Sequence, residues 1–307
     1  MQNAKLGNLT SRRGLIRGGA ALSGAAAIGA GLALPSGALA ADSINDSLLK
    51  KVLDRGKVIV GTGATNPPWH FEDDSGKPVG MDIDMAKMLA GGLFGLSQTD
   101  KADDAKTRAL VEFVVQEANE RIPNILADKV DVVFQFMTVT ANRATQVEFT
   151  FPYYREAVTM LLPNDSPHNM LKDMQGHGLK IGILQNVGAE EAMKLVVPDA
   201  TVQQFPSTAD SIAALDSGRV DATGVDLSTG KWFASHTPGK YKFTDSWNPG
   251  TYAAAVKPGD QIWLNYVNTV LHEGMVGQDY LIYNAAFKQW FGEDLPSPVA
   301  GFPVEFK

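Results

Sequence analysis

The sequence predicts an α/β protein with two lobes, each a mainly parallel sheet flanked by helices. Short apolar segments typical of buried strands alternate along the chain with segments of about ten residues typical of helices. Residues 122–132 and 212–222 also share five similar positions at a constant offset of 90 residues. Strands that alternate with helices favour parallel sheets. The offset indicates two lobes built on one plan, although ordinary spacing between a helix and a strand is an alternative explanation.

The first half of the chain contains clear start and stop signals for its elements. An acidic residue precedes the first helix and a glycine ends it, whereas the strand that follows, KVIVGT, is almost entirely apolar. Residues 94–108 are polar and predict an exposed excursion. The predicted elements are a helix at 46–56, a strand at 57–62, a turn at 73–77, a helix capped by Asp82, a strand at 111–115, a helix around 120–128 with Pro123 in its first turn, a strand at 130–134 and a helix capped by Thr140.

The second half repeats the alternation after Pro163. Ser207 and Asp210 have the spacing of a capping box, and Gly292 is a helix stop. The predicted elements are a strand at 180–184, a helix at 188–196, a helix at 208–216, a strand at 219–225 and helices at 260–273 and 278–291.

The N-terminus has the pattern of an export signal. Residues 11–17 read SRRGLIR, an apolar run follows from 18 to 34, and residues 38–40 read ALA. This predicts a twin-arginine-type signal cleaved after about Ala40, although general secretion signals can also carry two arginines. A membrane anchor is the alternative, but the run is rich in Gly and Ala and therefore weakly hydrophobic.

The charge and the cysteine content of the chain argue against several classes of function. Without the first 40 residues, 23 basic residues face 34 acidic ones in a chain of 267 residues, a net charge of −11. Such a chain is a poor partner for nucleic acid or an anionic membrane. The chain has no cysteine. Disulfides, thiolate metal sites and lipid anchoring at an N-terminal cysteine are therefore excluded, and a freely diffusing periplasmic protein is expected.

The sequence lacks the common motifs of hydrolases, phosphate loops and zinc proteases. It contains no G-x-S-x-G, no phosphate loop ending in GK[ST] and no HExxH. The G-T-G at 61–63 is followed by Asn66 where a dinucleotide loop needs glycine, and the five histidines lack metal-ligand spacing. No cofactor and no metal are therefore expected.

Three side chains are candidates for ligand binding. Trp69 follows the first strand in a Pro-Pro-Trp segment, Arg143 lies in the helix capped by Thr140, and Asp226 ends a predicted strand. The carboxyl ends of strands are where α/β sheets bind ligands. From composition alone, each of the three is better explained as a solvated charge or a core aromatic residue.

The order of several segments resembles the family 3 solute-binding proteins, the periplasmic receptors of polar amino acid ABC importers. The resemblance covers residues 46–292, apart from the stretch near 94–108. It is carried by VGTGATNPPWHFEDDSGKPVGMDIDMAKML, ADKVDVVFQFMTVTANRATQVEFTFPYY, LKIGILQNVGAEEA, GRVDATGVDLSTGKW, YAAAVKPGD and the final WFG. The run Met-Thr-x-Thr-x-x-Arg, followed by Phe-x-x-Pro-Tyr-Tyr, is its most specific part.

The resemblance implies a two-lobed periplasmic binding protein of type II that closes on its ligand by hinge bending. Lobe one is expected at about 42–155 plus 254–307 and lobe two at about 159–248. The hinge is expected to consist of two crossing segments, near 155–158 and 249–253.

The resemblance also implies roles for individual residues. The position of Arg143 holds the α-carboxylate of the ligand in the family, helped by the position of Thr138, and a guanidinium suits this role because it can form two parallel bonds. The position of Asp226 holds the α-ammonium group. Trp69 stands where the family has an aromatic residue that covers the ligand.

Several positions depart from the family pattern. Phe136 replaces a small residue, Asn66 replaces an aromatic residue, and the Gly-Thr-Thr loop of lobe two reads Asn186-Val187-Gly188, where a backbone N–H contact from Val187 or Gly188 remains available. Gly63 stands where binders of cationic amino acids carry an acid, which argues against such ligands. Arg121 lies in a run similar to one found in acidic amino acid binders. It is expected either to meet a side-chain carboxylate or to be a solvated arginine at the start of a helix.

The leading hypothesis is a monomeric receptor that captures a small zwitterionic amino acid and delivers it to a membrane permease. The alternative is an enzyme on the same scaffold, similar to periplasmic cyclohexadienyl dehydratases. Such an enzyme needs a carboxyl group as general acid, and the acids considered are Glu72, Glu190 and Glu191. A sensor module is a third possibility, but it usually comes fused to a membrane span.

Overall fold

The computed structural model describes residues 43–186 and 188–301. The predicted signal at 1–40, its cleavage after Ala40 and the ligand contact predicted for Val187 lie outside the described residues. The helices are α1 (Leu48–Arg55), α2 (Met81–Leu93), α3 (Gln98–Lys101), α4 (Asp104–Arg108), α5 (Arg121–Leu126), α6 (Ala141–Ala144), α7 (Ala189–Val196), α8 (Thr208–Asp216), α9 (Leu227–His236), α10 (Gln261–Val276) and α11 (Tyr280–Phe291), with a 3-10 turn at Leu171–Met174.

The strands form one large sheet and one small three-stranded sheet. They are β1 (Val58–Thr62), β2 (Thr65–Asn66), β3 (His70–Glu72), β4 (Pro78–Val79), β5 (Val111–Val115), β6 (Val132–Thr138), β7 (Glu148–Phe149), β8 (Tyr154–Pro163), β9 (Lys180–Leu184), β10 (Thr201–Phe205), β11 (Ala222–Asp226), β12 (Tyr241–Phe243) and β13 (Trp247–Val256). The small sheet has the order β2-β3-β4.

The large sheet has the strand order β10-β9-β11-β8-β13-β6-β1-β5. Strand β1 pairs in parallel with β5 and β6, and β9 pairs in parallel with β10 and β11. The long strands β8 and β13 lie between these two parallel groups and pair antiparallel with each other. Each half of the sheet therefore contains three parallel strands and one antiparallel crossing strand. The short strand β7 also pairs with β13, and β12 with β8.

The two halves match the internal similarity seen in the sequence. In one half α5 leads into β6, which lies between β1 and the crossing strand β13; in the other, α8 leads into β11, which lies between β9 and the crossing strand β8. The segments offset by 90 residues therefore occupy equivalent positions.

Separate hydrophobic cores stabilise the two halves. The clusters around α2, α10 and β6 draw their buried residues from 49–153 and 252–286, whereas those around β9 and α8 draw theirs from 160–241. The first half thus combines two stretches of chain, because β8 leaves it and β13 returns to it. The predicted crossing segments 155–158 and 249–253 lie within β8 and β13.

The prediction that Asp82 caps a helix is wrong. The N-cap of α2 is Gly80, whose φ of 123° suits glycine. Asp82 lies in the first turn and is fully buried. Its Oδ2 accepts a hydrogen bond from Phe136 N at 3.0 Å and lies 2.8 Å from His70 Nδ1, and its Oδ1 accepts one from Tyr153 Oη at 3.2 Å. Asp82 therefore joins α2 to β6 and to the residues that follow β2.

The stretch at 94–108 is folded against the protein rather than simply exposed. It forms α3 and α4, and Thr107 is buried. The Asp104 carboxylate accepts hydrogen bonds from Lys77 Nζ at 2.5 Å and Lys87 Nζ at 2.7 Å. These ion pairs tie α4 to α2 and to the turn before β4.

Within residues 43–186 and 188–301, no helix is both long enough and apolar enough to cross a membrane.

Candidate functional site

A cavity of about 210 Å³ lies between the two lobes, next to the crossing strands. Strands β6, β9 and β11 end at its walls, as expected for a ligand site at the carboxyl ends of strands. Lining residues from lobe one are Arg121, Phe136, Thr138, Thr140 and Arg143, and those from lobe two include Asn186, Gly188, Met193, Thr208 and Asp226. The crossing strands contribute Val158, Trp247, Asn248 and Tyr252.

Arg143 reaches from lobe one to lobe two. The Thr140 hydroxyl accepts a hydrogen bond from the Arg143 backbone N–H at 3.3 Å and so begins α6. Arg143 Nη1 donates to the Thr138 carbonyl at 2.8 Å, and Nη2 donates to Asn186 Oδ1 at 2.9 Å. A guanidinium carries five N–H donors, so these two bonds position Arg143 and leave donors for a ligand. Thr138 and Arg143 thus lie together in the cavity wall.

Arg121 is buried in the cavity wall. It is 2 % exposed, its Nε donates to the Ala118 carbonyl at 2.7 Å, and its Nη1 donates to the Gln135 carbonyl at 3.0 Å. Burial, and then the positive charge of Arg143, lower the pKa of Arg121 to about 9, so it remains mostly charged at neutral pH. The expectation of a solvated arginine at a helix start is therefore wrong. Among the described residues, Arg121 forms no ion pair.

Asp226 ends β11 on the lobe-two side of the cavity. It is half-buried and lines the cavity. Desolvation raises the pKa of Asp226, whereas the Tyr252 hydroxyl and the Arg121 guanidinium lower it. The Tyr252 hydroxyl is near the carboxylate without completing a hydrogen bond to it, since that hydroxyl has no partner among the described residues.

Trp69 does not line the cavity. It is fully buried in an aromatic cluster, with ring centroids 4.8 Å from Tyr154 and 5.2 Å from Tyr252 and from Phe291. Its indole Nε1 donates to Ser228 Oγ at 2.8 Å, across the boundary between the lobes. Its position is therefore that of an inter-lobe contact beside the crossing strands.

Asn66 borders a second, smaller cavity. This cavity has a volume of about 50 Å³ and is also lined by His70, Phe136 and Thr208. Asn66 is 2 % exposed, and its Nδ2 has no hydrogen-bond partner among the described residues. Phe136 belongs to both cavities, and its ring stacks on His70 at 4.5 Å.

Gly188 lines the larger cavity just before α7. Its φ is +78°, in the left-handed region that glycine adopts without strain. A glycine there allows the chain to turn sharply from β9 into the helix whose N-terminus faces the cavity.

The acids considered for an enzyme do not line either cavity. Glu190 pairs with Lys194 on the outside of α7, and neither Glu72 nor Glu191 contributes to the two cavity walls. Within the described ranges, no group of three or more His, Asp or Glu side chains could hold a metal ion.

The structure adds residues to the site that the sequence did not single out. Asn186 was considered only as a departure from the family pattern, yet it binds Arg143. Trp247 and Tyr252 lie on β13, and the Trp247 Nε1 and Tyr252 hydroxyl groups are buried without partners among the described residues. Glu156, at the start of β8, is 6 % exposed next to the cavity. Its only sequence signal was a charge inside a predicted crossing segment.

A family model for bacterial extracellular solute-binding proteins, family 3, matches residues 58–293. This match covers well over half of the chain. The chain belongs to family 3 of the bacterial extracellular solute-binding proteins.

Several amino-acid-binding members of family 3 are similar to this chain. It is 29 % identical over 191 residues to the glutamine-binding protein of Geobacillus stearothermophilus, covering 60 % of this chain and 66 % of that protein. It is 25 % identical over 267 residues to the L-cystine-binding protein TcyJ of Escherichia coli K12, covering 86 % of this chain and 93 % of that protein.

A solved structure of the same kind also matches. It is the ancestral amino acid-binding protein AncCDT-1, a precursor of cyclohexadienyl dehydratase. The identity is 28 %, the TM-score is 0.69, and the match covers 80 % of this chain and 100 % of that one. The predicted fold class, a two-lobed α/β periplasmic binding protein of type II, is confirmed by this likeness and by the strand order of the large sheet.

Proposed function

We propose that this protein is the extracytoplasmic receptor of an ABC importer and binds a small polar amino acid between its lobes. The observation that carries the proposal is the pair of opposite charges across the cavity: Arg143 from lobe one and Asp226 from lobe two. A zwitterion supplies a carboxylate for the first and an ammonium group for the second. One small molecule can therefore bind both lobes at once.

The carboxylate side of the cavity has donors ready for an anion. Arg143 is already oriented by Thr138 and Asn186, so binding does not have to order a free side chain. The N-terminus of α7, which begins after Gly188, faces the same cavity, and helix N-termini favour negative charge. Val187 and Gly188 are proposed to contribute backbone N–H groups.

The cavity wall also contains polar atoms that lack partners. The Trp247 Nε1 and Tyr252 hydroxyl groups are buried and unpaired among the described residues. Buried polar groups are nearly always hydrogen-bonded to protein, water or ligand. A polar ligand therefore suits this wall better than an apolar one.

Arg121 and Asn66 are proposed to select the side chain of the ligand. Arg121 is a buried cation that keeps its charge, and Phe136 separates it from the smaller cavity that Asn66 lines. A cation here repels arginine or lysine side chains and attracts a carboxylate or an amide oxygen. We therefore propose glutamate or glutamine rather than a cationic amino acid as the preferred ligand class.

Trp69 is proposed to act beside the ligand rather than over it. Its hydrogen bond to Ser228 joins the two lobes, so it stabilises the arrangement in which the cavity is covered.

The export, the location and the lobe boundaries of the protein are proposed from its sequence. Export removes residues 1–40 and places the receptor in the periplasm as a monomer without a lipid anchor, and a membrane permease receives the ligand. Lobe one spans about 42–155 plus 254–307 and lobe two about 159–248, with hinges near 155–158 and 249–253. The role is binding without catalysis, because the acids considered for a dehydratase lie outside the cavity walls.

A thermal-shift screen against the twenty common amino acids and cystine tests this function. A ligand that binds only the native state raises the melting temperature by mass action. We expect L-glutamate or L-glutamine to give the largest rise, followed by calorimetry to measure its Kd. Incubation with prephenate or arogenate is the enzyme control. Formation of product, or no rise with any amino acid, would contradict the proposal.

A further inference from the structure

Two carboxyl groups lie beside each other where β8, β11 and β13 meet. Asp226 at the end of β11 is paired with Val158 of β8 in an antiparallel register. Glu156 is two residues before Val158 and therefore projects from the same face of the sheet. Diagonal neighbours across an antiparallel pair have Cβ atoms within about 8 Å of each other. Glu156 and Asp226 are thus adjacent on one face.

Glu156 is held by hydrogen bonds that fix its position. Its Oε2 accepts from Ser228 Oγ at 2.5 Å, and its Oε1 accepts from Ala157 N at 2.9 Å. Ser228 Oγ in turn accepts the indole N–H of Trp69 at 2.8 Å. A hydroxyl has one proton to donate. Because Ser228 Oγ acts as the acceptor toward Trp69, its own proton is available for the hydrogen bond to Glu156. Glu156 does not line the cavity, so it can influence a ligand without contacting it, by changing the charge of Asp226.

The surroundings of the two carboxyl groups provide little positive charge. The groups that face Glu156 are Asp226 from β11, Tyr154 on its own strand and Tyr252 from β13. The cation near the pair is Arg121, which acts on Asp226. Neither carboxylate forms an ion pair within the described part of the chain. When two carboxyl groups are adjacent and buried, the charge on one disfavours ionisation of the other, so the second proton is lost only at a pH above the usual carboxyl range.

The pKa values of the two carboxyl groups shift in the direction that this geometry implies. Burial, together with the nearby Asp226 carboxylate, raises the pKa of Glu156 to about 7. Burial likewise raises the pKa of Asp226. Because the two groups interact, the retained proton belongs to the pair rather than to either residue.

We propose that the Glu156–Asp226 pair holds one proton when the cavity contains no cation, and that the ammonium group of the ligand displaces this proton into solvent. Glu156 is then a positioning residue that sets the charge of the site through Asp226. The step rests on the proposed function, which places the ammonium group at Asp226. It involves no bond change other than the release of the carboxyl proton.

The pH dependence follows from the linkage between binding and protonation. The ligand-free pair binds more protons than the occupied pair, so affinity rises with pH until the free pair has lost its proton. The slope reaches at most about tenfold in affinity per pH unit for one displaced proton. Above the raised pKa values the slope falls to zero.

Calorimetry can count the displaced proton directly. Titrations of the full mature protein with L-glutamate and with L-glutamine are run near pH 6, each in two buffers of different ionisation enthalpy. We expect release of close to one proton in the wild type. In Glu156→Gln, which preserves size and a hydrogen-bond acceptor for Ser228, we expect a clearly smaller release and a shallower dependence of Kd on pH, because only the effect of burial on the pKa of Asp226 remains. Glu191→Gln, an exposed change on α7, is the matched control and should behave as the wild type.

A ligand-free measurement separates this proposal from the proposed function. Carbon-13 NMR of carboxyl-labelled protein should show a carboxyl group that titrates more than one pH unit above its usual range in the wild type and in Glu191→Gln. In Glu156→Gln the highest carboxyl titration should move to lower pH, because only the effect of burial on Asp226 remains. Absence of this titration in the wild type would overturn the proton-holding pair. If the titration is present but no amino acid in the screen binds, the proposed function and the displacement step are both overturned while the pair stands. Tight binding with no proton release, or with equal release in Glu156→Gln, would overturn the displacement alone.

Discussion

At the scale of single residues, the proposed site contains charged side chains whose positions are already held by the protein before a ligand binds. The Arg143 guanidinium is held between a carbonyl of β6 and the Asn186 side chain, so its orientation is fixed from both lobes. Asp226 faces it from the end of β11. Fixed charges lose little conformational entropy on binding, and each contact with the ligand is correspondingly stronger.

Removing the carboxylate anchor should weaken the binding of every amino acid ligand. We expect Arg143→Ala to cost at least about 2 kcal/mol, or roughly 30-fold in Kd, because it leaves a buried carboxylate unpaired. Calorimetry with the strongest ligand from the screen measures the change. Arg219→Ala, an exposed arginine in lobe two, is the control and should leave Kd unchanged. Near-normal affinity in Arg143→Ala would remove Arg143 from the proposed site.

Removing the ammonium anchor should have a similar effect from the other lobe. We expect Asp226→Asn to weaken binding by about 2 kcal/mol, since an amide cannot balance the buried positive charge. The measurement is again Kd, with Asp221→Asn at an exposed position just before β11 as the control. If only Arg143→Ala weakens binding, the ligand is an anion and not a zwitterion.

The two charged residues of the proposed site could be identified from the sequence, but several of the residues that pack around them could not. Arg143 and Asp226 were singled out at a capped helix and a strand end, their roles came from the family resemblance, and both line the cavity. Trp69 sits in a core-like aromatic cluster, because the register of the Pro-Pro-Trp turn depends on packing against Tyr154 and Phe291. Glu156 could not be recognised, since its neighbour Asp226 is 70 residues away in the chain and only strand pairing brings the two together.

At the scale of secondary structure, local sequence signals predicted most helices and strands. The residues at which these elements end depend on tertiary contacts. The Ser207 hydroxyl accepts from Asp210 N at 3.0 Å and begins α8 as predicted. The strand predicted at 130–134 instead runs from Val132 to Thr138. Its last residues pair with β13, which is distant in sequence. Long-range pairing of this kind leaves no local pattern.

One side chain caps two helices and offers a test at this scale. Asp260 accepts hydrogen bonds from Leu48 N at 2.6 Å at the start of α1 and from Trp263 N at 2.9 Å at the start of α10. We expect Asp260→Ala to lower the free energy of unfolding by about 2 kcal/mol, since a lost cap typically costs about 1 kcal/mol for each helix. Urea unfolding measures the loss. Asp54→Ala, an exposed residue of α1 paired with Lys50, should change stability by less than about 0.5 kcal/mol. Equal losses in the two variants would contradict the double cap.

At the scale of the whole molecule, few side-chain hydrogen bonds join the two lobes within the part of the chain that the structure describes. Arg143 binds Asn186, Trp69 binds Ser228, and the Thr229 hydroxyl donates to the Pro67 carbonyl at 3.1 Å. A protein hydrogen bond contributes about 1 kcal/mol net, since water replaces it on opening. These contacts alone therefore give only a modest preference for the closed arrangement, and a ligand that bridges the lobes can dominate the balance.

Binding should accordingly make the molecule more compact. A zwitterion held by Arg143 in lobe one and Asp226 in lobe two stabilises only the arrangement in which both reach it, so it shifts the population toward closure. Small-angle scattering should give a smaller radius of gyration for the wild type with a saturating amino acid than without it. Trp69→Phe removes the hydrogen bond to Ser228 but keeps an aromatic ring, so it should raise the radius of the ligand-free protein toward a more open average. The same variant should still contract when the ligand is added. A radius that does not change on binding would mean that the ligand contacts one lobe alone, whatever its affinity.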